Sequence, residues 1–186
     1  MLIFRSPLNL SPLNPFSNYQ MGYQIRSAAT FIRDDINLVF SEALAREKYG
    51  DDVTQEQIDN LRFEAEGKVF RHIASQAYLY IRYGHSISKF TGDWYERYSS
   101  ETSATPNSDE KRNRDLINNA YGRALGLQYG YETGTTFKDT KEVADFLNAT
   151  VNYVRESYGM DPLTKDQYLF NANTPGLERL VIPSND

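Results

Sequence analysis

The stretch Arg112-Asn-Arg-Asp-Leu-Ile-Asn-Asn-Ala-Tyr-Gly-Arg-Ala-Leu-Gly126 decides the fold, because as a helix it collects polar residues where a core face would normally be apolar. Asp115, Asn118, Asn119, Gly122 and Arg123 recur at i, i+3, i+4, i+7 and i+8, which is one helix face. Leu116, Ala120, Ala124 and Leu127 form a neighbouring apolar stripe, and that stripe is expected to carry the polar one into partial burial. Each buried polar group left without a partner costs roughly 1–3 kcal/mol. Such a face persists only as a satisfied network or a working site.

The segments on either side read as helices and turns. Residues 99–110 are polar and broken by Pro106, a loop that leads into this helix. Upstream, residues 68–83 carry Val69, His72, Ile73, Gln76, Ala77 and Tyr80 at helical spacing, and Gly84 is a natural stop. A further helix over about 86–98 uses Ile87, Phe90, Trp94 and Tyr98 as its apolar side. Thr54 with Gln57 forms a capping box for the preceding helix, which places Ile58, Leu61 and Ala65 inward and is interrupted at Gly67. Before it, a helical pattern from Ile25 to Leu44 within about 19–49 ends at Gly50.

Downstream, residues 126–134 are rich in Gly and Tyr and predict turns or a short hairpin. Asp139 with Glu142 is a second capping box, for a helix carrying Val143, Phe146, Leu147, Thr150 and Val154 up to Gly159. The tail, with Pro162, Pro175 and Pro183, reads as irregular, and residues 1–17 as an extended, proline-containing leader. The expected fold is mainly α: a single compact helical domain over 18–186 with irregular N- and C-terminal segments.

Composition narrows the function classes. The 186 residues are 40% apolar, enough for one substantial core. The net charge of −5 disfavours a broad phosphate-binding surface, so nucleic acid is not the favoured partner. The chain has no cysteine, which removes disulfides, thiolate metal sites and Cys nucleophiles. No run has the length of a spanning helix, and Met1-Leu-Ile-Phe-Arg5 is too short an apolar segment for a signal peptide. Delivery out of the producing cell would therefore rely on a carrier or dedicated secretion machinery.

Two segments together resemble a known domain. Lys68-Val-Phe-Arg71-His72-Ile-Ala-Ser75 resembles an Arg-His-x-x-Trp helix, and Asp115-x-x-Asn118-Asn119-x-x-Gly122-Arg123 resembles an Asp-x-x-Asn-Asn-x-x-Gly-Arg helix. In this order they are similar to an uncharacterised bacterial domain found at the C-termini of Rhs-type and other polymorphic toxins. The resemblance covers about residues 64–127. Ser75 stands where that pattern has an aromatic, and Tyr95-Glu96 where it has a His-Glu pair. The resemblance implies an interbacterial toxin or effector delivered into a target cell, with a cognate immunity protein and a secretion carrier or chaperone as partners.

The chemistry follows from residue types. His72, one of two histidines, is the candidate general acid/base, with Asp115 or Glu96 fixing its tautomer. Arg123 and Asn119, with Arg71 and Asn118, are the candidate substrate-binding groups, a guanidinium being suited to a phosphate or carboxylate. Each has a structural alternative: a satisfied core histidine, an Arg123 ion pair with Asp115 or Glu96, and helix-bridging amides. Glu64, Glu66 and Glu96 raise a glycosidase reading with paired carboxyls. A metal site would need His72 joined by carboxylates such as Asp115 and Glu96, and no metal or other cofactor motif is present in the sequence. The sequence thus points to a hydrolase acting on peptidoglycan or lipid, or to a non-enzymatic interaction or membrane-contacting module whose polar motif is structural.

Overall fold

The computed structural model describes residues 15–102, 109–133 and 137–182. The described elements are α1 (Pro15–Phe31), a π turn (Ile32–Ile36), α2 (Asn37–Tyr49), α3 (Gln55–Glu64), α4 (Glu66–Thr102), α5 (Asp109–Thr133) and α6 (Thr140–Ser157), with 3-10 turns at Lys165–Gln167 and Leu177–Leu180. The expected all-helical domain with an irregular C-terminal segment is what forms.

α4 holds the key to the arrangement. Gly84 has φ 81° and ψ 177° within it, a conformation that only glycine adopts without strain. There the chain reverses, splitting α4 into a first limb over 66–83 and a return limb over 85–102. Contacts pair the limbs around Gly84: the His72 ring lies 3.8 Å from Glu96, and Gly92 lies against the Gln76 side chain. A continuous helix would hold residues 24 positions apart at about 36 Å. α5 then runs parallel to the first limb, because Lys68, His72 and Gln76 meet Asp115, Asn119 and Arg123 in that order.

The first limb is a partition with two different faces. Phe70, Ile73, Ala74, Ala77, Tyr78 and Ile81 are buried, and they belong to an apolar core shared with α2, α6 and the tail. Phe70 stacks on Phe40 of α2 at 4.6 Å, and Tyr78 on Phe137 at 6.2 Å. α6 presents Val143, Phe146, Leu147, Val151 and Val154 to this core. The irregular tail docks there too, because Asn148 bonds the backbone of Leu169 and Phe170 while Leu177 and Leu180 are buried.

The structure corrects several expectations. The first helix begins at Pro15, inside the segment expected to be extended, since proline's fixed φ is compatible with a helix start; residues 1–14 lie outside the described part. The break between α3 and α4 falls at Ala65, with φ −123° and ψ −131°, not at Gly67. Gly67 instead meets α2 and α3 closely, where a Cβ would lie 2.5 Å from the Ser41 Oγ. α4 continues to Thr102 and α5 starts at Asp109, shortening the loop at both ends, and α5 continues through 126–133 where turns were expected. Helical hydrogen bonding along an already nucleated helix outweighs the cost of interior glycines.

The largest correction concerns which faces point inward. On α5 the polar face is buried, while Ile117, Tyr121 and Leu127 are exposed and Ala120 and Ala124 also face outward. The return limb is inverted in the same way: Ser88, Gly92 and Glu96 are buried, whereas Phe90 and Trp94 are 70% and 51% exposed. The cause is close approach. A Cβ on Gly122 would sit 2.6 Å from the Ile73 carbonyl oxygen, and one on Gly126 would sit 2.7 Å from that of Ala77. Only the glycine-bearing face of α5 can pack so near the first limb, and that face carries the polar residues.

Candidate active site

Three bonds climb the seam between the first limb and α5, each one helical turn above the last. Lys68 Nζ donates to Asp115 Oδ2 at 2.9 Å and lies 2.8 Å from Oδ1. His72 Nδ1 lies 2.9 Å from Asn119 Oδ1. Arg123 donates to Gln76 Oε1 at 3.3 Å and to Asp93 Oδ1 at 3.4 Å. The i, i+4 spacing on two parallel helices produces this ladder, and the return limb closes its open side with Asp93 and Glu96.

The middle of the ladder concentrates the chemistry. His72 Nε2 is 3.7 Å from Asp115 Oδ1, and Nδ1 is 3.8 Å from Glu96 Oε1. Glu96, Asp115 and Asn119 are each about 2–3% exposed, and the His72 side chain is 12% exposed, so the imidazole is the group nearest solvent. The Asn119 amide Nδ2 is buried and has no hydrogen-bond partner, on the same amide whose oxygen meets the His72 ring.

Burial sets the protonation states. Desolvation, with the Arg71 and Lys68 charges adding to it, lowers the His72 pKa to about 4 despite the nearby Asp115 carboxylate and the hydrogen bond with Asn119. The ring is therefore neutral at neutral pH. With Nδ1–H donated to Asn119, the Nε2 lone pair faces Asp115. Desolvation, then the Asp115 charge and a hydrogen bond with that carboxyl, raise Glu96 to about 7, although Lys68 and Arg71 pull it down. Glu96 is thus close to half-protonated at neutral pH.

Of the residues singled out in the sequence, His72, Glu96, Asp115 and Asn119 come together. Arg123 lies one turn along the seam, and its ion pair goes to Asp93, not to Asp115 or Glu96. Arg71 is half-buried beside His72 and acts on it and on Glu96 through its charge. Asn118 is half-buried, a position off the ladder. Glu64 is exposed on α3 and Glu66 is paired with Lys48, so neither supplies a second carboxyl for a glycosidase pair with Glu96. His85 is exposed at the turn, edge-on to Tyr80.

Sequence reasoning missed Lys68, Gln76 and Asp93. The available signal was spacing: Lys68 and Gln76 lie one turn before and after His72, so they share its face. Comparison with known protein families, characterised proteins and solved structures gives no match to this chain.

Proposed function

We propose that this chain is an antibacterial toxin or effector domain, a hydrolase that acts on cell-envelope material, peptidoglycan or lipid, at the His72–Glu96–Asp115 cluster. One observation carries the reading: α5 turns its polar face into the protein and leaves the Asn119 amide donor without a partner beside an imidazole and two carboxyls. A purely structural network gains nothing from an unsatisfied donor, which costs roughly 1–3 kcal/mol. A substrate oxygen would satisfy it.

The geometry supports the following roles. His72, oriented by Asn119, and Glu96 are the proton-transfer pair; Lys68 pairs with Asp115; Asn119 Nδ2 is the donor for a substrate oxygen. Arg71 supplies positive charge at the entrance. Arg123 with Asp93 and Gln76 holds the seam in register. The partners this reading entails are a cognate immunity protein that covers the His72 side of the seam and a secretion carrier or chaperone.

Expression of the chain in the cytoplasm and, behind an added signal peptide, in the periplasm of a test bacterium tests the proposal. Killing from the periplasm, abolished by His72→Ala and by Glu96→Gln in proteins that retain their helical circular dichroism, is the expected result. Killing confined to the cytoplasm overturns the envelope target, and no killing from either compartment overturns the toxin reading.

A second reading rests on the outward side chains Phe90, Trp94, Ile117, Tyr121 and Leu127: a membrane-contacting or interaction module whose polar seam is structural. No described helix is long and apolar enough to cross a membrane, so such contact would be interfacial. Dye release from anionic vesicles that persists in the His72→Ala and Glu96→Gln proteins would favour it.

A further inference from the structure

We propose that His72, Glu96 and Asp115 form a divalent-cation site suited to zinc or manganese, completed by a water held by Asn119. A ring nitrogen of His72 and one carboxylate oxygen from each acid all lie within 4.8 Å of one another. Around a tetrahedral ion with bonds of about 2.0–2.1 Å, donor atoms stand about 3.3 Å apart. The His72 Nε2–Asp115 Oδ1 separation of 3.7 Å needs to close by a few tenths of an ångström, and the widest donor pair, within 4.8 Å, by up to about 1.5 Å.

Three features point to a cation here. His72 Nδ1 faces the Asn119 carbonyl oxygen at 2.9 Å, the outer bond that typically fixes a metal-ligating histidine. The Nε2 lone pair then confronts the Asp115 Oδ1 lone pairs across 3.7 Å, two acceptors with no hydrogen between them. The Asn119 Nδ2, buried and without a partner, is placed to donate to a water on such an ion. Lys68 pairs with Asp115 and the Arg71 charge also reaches Glu96, so the ion would compete with these two cations for the carboxylates. A mixed nitrogen and oxygen donor set favours zinc or manganese over magnesium and calcium, which prefer oxygen alone.

With an ion bound, His72 and Glu96 would serve as its ligands and the activation of water would pass from them to the ion; the proposal rests on the hydrolase reading only for that use, and its test reads binding directly. The full chain, stripped with chelator and exchanged into metal-free buffer, is titrated with the chlorides of zinc, manganese, magnesium and calcium. Calorimetry should show one zinc or manganese ion per chain. At about a hundredfold excess over Kd the melting temperature should rise by roughly 5–10 °C. Glu96→Gln and His72→Gln should each weaken binding at least tenfold, and His85→Gln should leave it unchanged.

No zinc or manganese binding overturns the site, as does binding that survives both ligand substitutions. Should either variant fail to fold, manganese added to His85→Gln protein, whose remaining histidine is His72, must show nitrogen coupling in pulsed electron paramagnetic resonance. Its absence also overturns the site. Metal binding by a chain that kills no bacterium keeps the site and removes the toxin reading. Killing by a chain that binds no metal does the opposite.

Discussion

α5 and α6 are amphipathic helices of one chain that bury opposite faces. α6 turns Phe146, Leu147, Val151 and Val154 inward and leaves Lys141 and Asp145 to pair at the surface. α5 buries Asp115, Asn119 and Arg123 and exposes Ile117, Tyr121 and Leu127. Apolar area removed from water drives the first arrangement. The second forgoes that gain, and what it obtains is backbone proximity at Gly122 and Gly126 together with a polar network that is filled except at the Asn119 amide donor. The comparison teaches that one half of the molecule buries apolar area while the other buries a polar seam at the expense of that burial.

The sharpest way to break the comparison is to truncate on α6. Phe146 is fully buried, with Phe137 at 5.0 Å and Tyr129 at 5.4 Å. Phe146→Ala should cost about 3–5 kcal/mol in urea denaturation, enough to unfold much of a marginally stable domain. A loss below about 1 kcal/mol would mean that α6 does not anchor the core.

Much of this division is absent from periodicity. Spacing shows that Asp115, Asn119, Gly122 and Arg123 share a face, but not that the face is the inner one. Gly122 and Gly126, one turn apart on that face, were the available sign, since side-chain-free positions mark where another backbone comes close. Punctuation was more legible. Gly84 ends one helix and begins another, and Thr54 and Gln57 exchange both capping bonds. Asp139 caps Glu142 N–H at 2.9 Å, yet Glu142 reaches Lys138 N–H at 2.8 Å, so the second box is displaced by one residue. Neither the π turn nor the docking of the tail through Asn148 leaves a periodic trace, because both depend on contacts between distant segments.

A sharper test of the polar half uses pH, in chelated buffer. Glu96 titrates near 7 in the fold against an ordinary 4.5, so it contributes stability below pH 4.5 that is lost as pH rises through 7. His72 titrates near 4 against 6.5, so it contributes stability above pH 6.5 that is lost as pH falls through 4. Each is worth on the order of 3 kcal/mol. Between pH 4.5 and 6.5 the two trends oppose, and the wild type should show little net slope from this pair. Glu96→Gln should leave stability rising with pH, and His72→Gln should leave it falling. Parallel slopes in the two variants would show that the shifts do not arise from this cluster.

The smallest effect is the most direct check on the inversion. Leu127 is 57% exposed and Ile117 53%, although spacing alone places Leu127 with the apolar stripe expected to help bury the polar face. Were that stripe part of the core, Leu127→Gln would cost several kcal/mol through lost burial and an unpaired amide. With the side chain in water, Leu127→Gln and Ile117→Gln should each change the unfolding free energy by no more than about 0.5 kcal/mol. Asn119, buried on the same helix, supplies the contrast. If Leu127→Gln destabilises the isolated chain by more than about 2 kcal/mol, α5 packs by its apolar face after all, and the cluster at His72 loses the helix that assembles it.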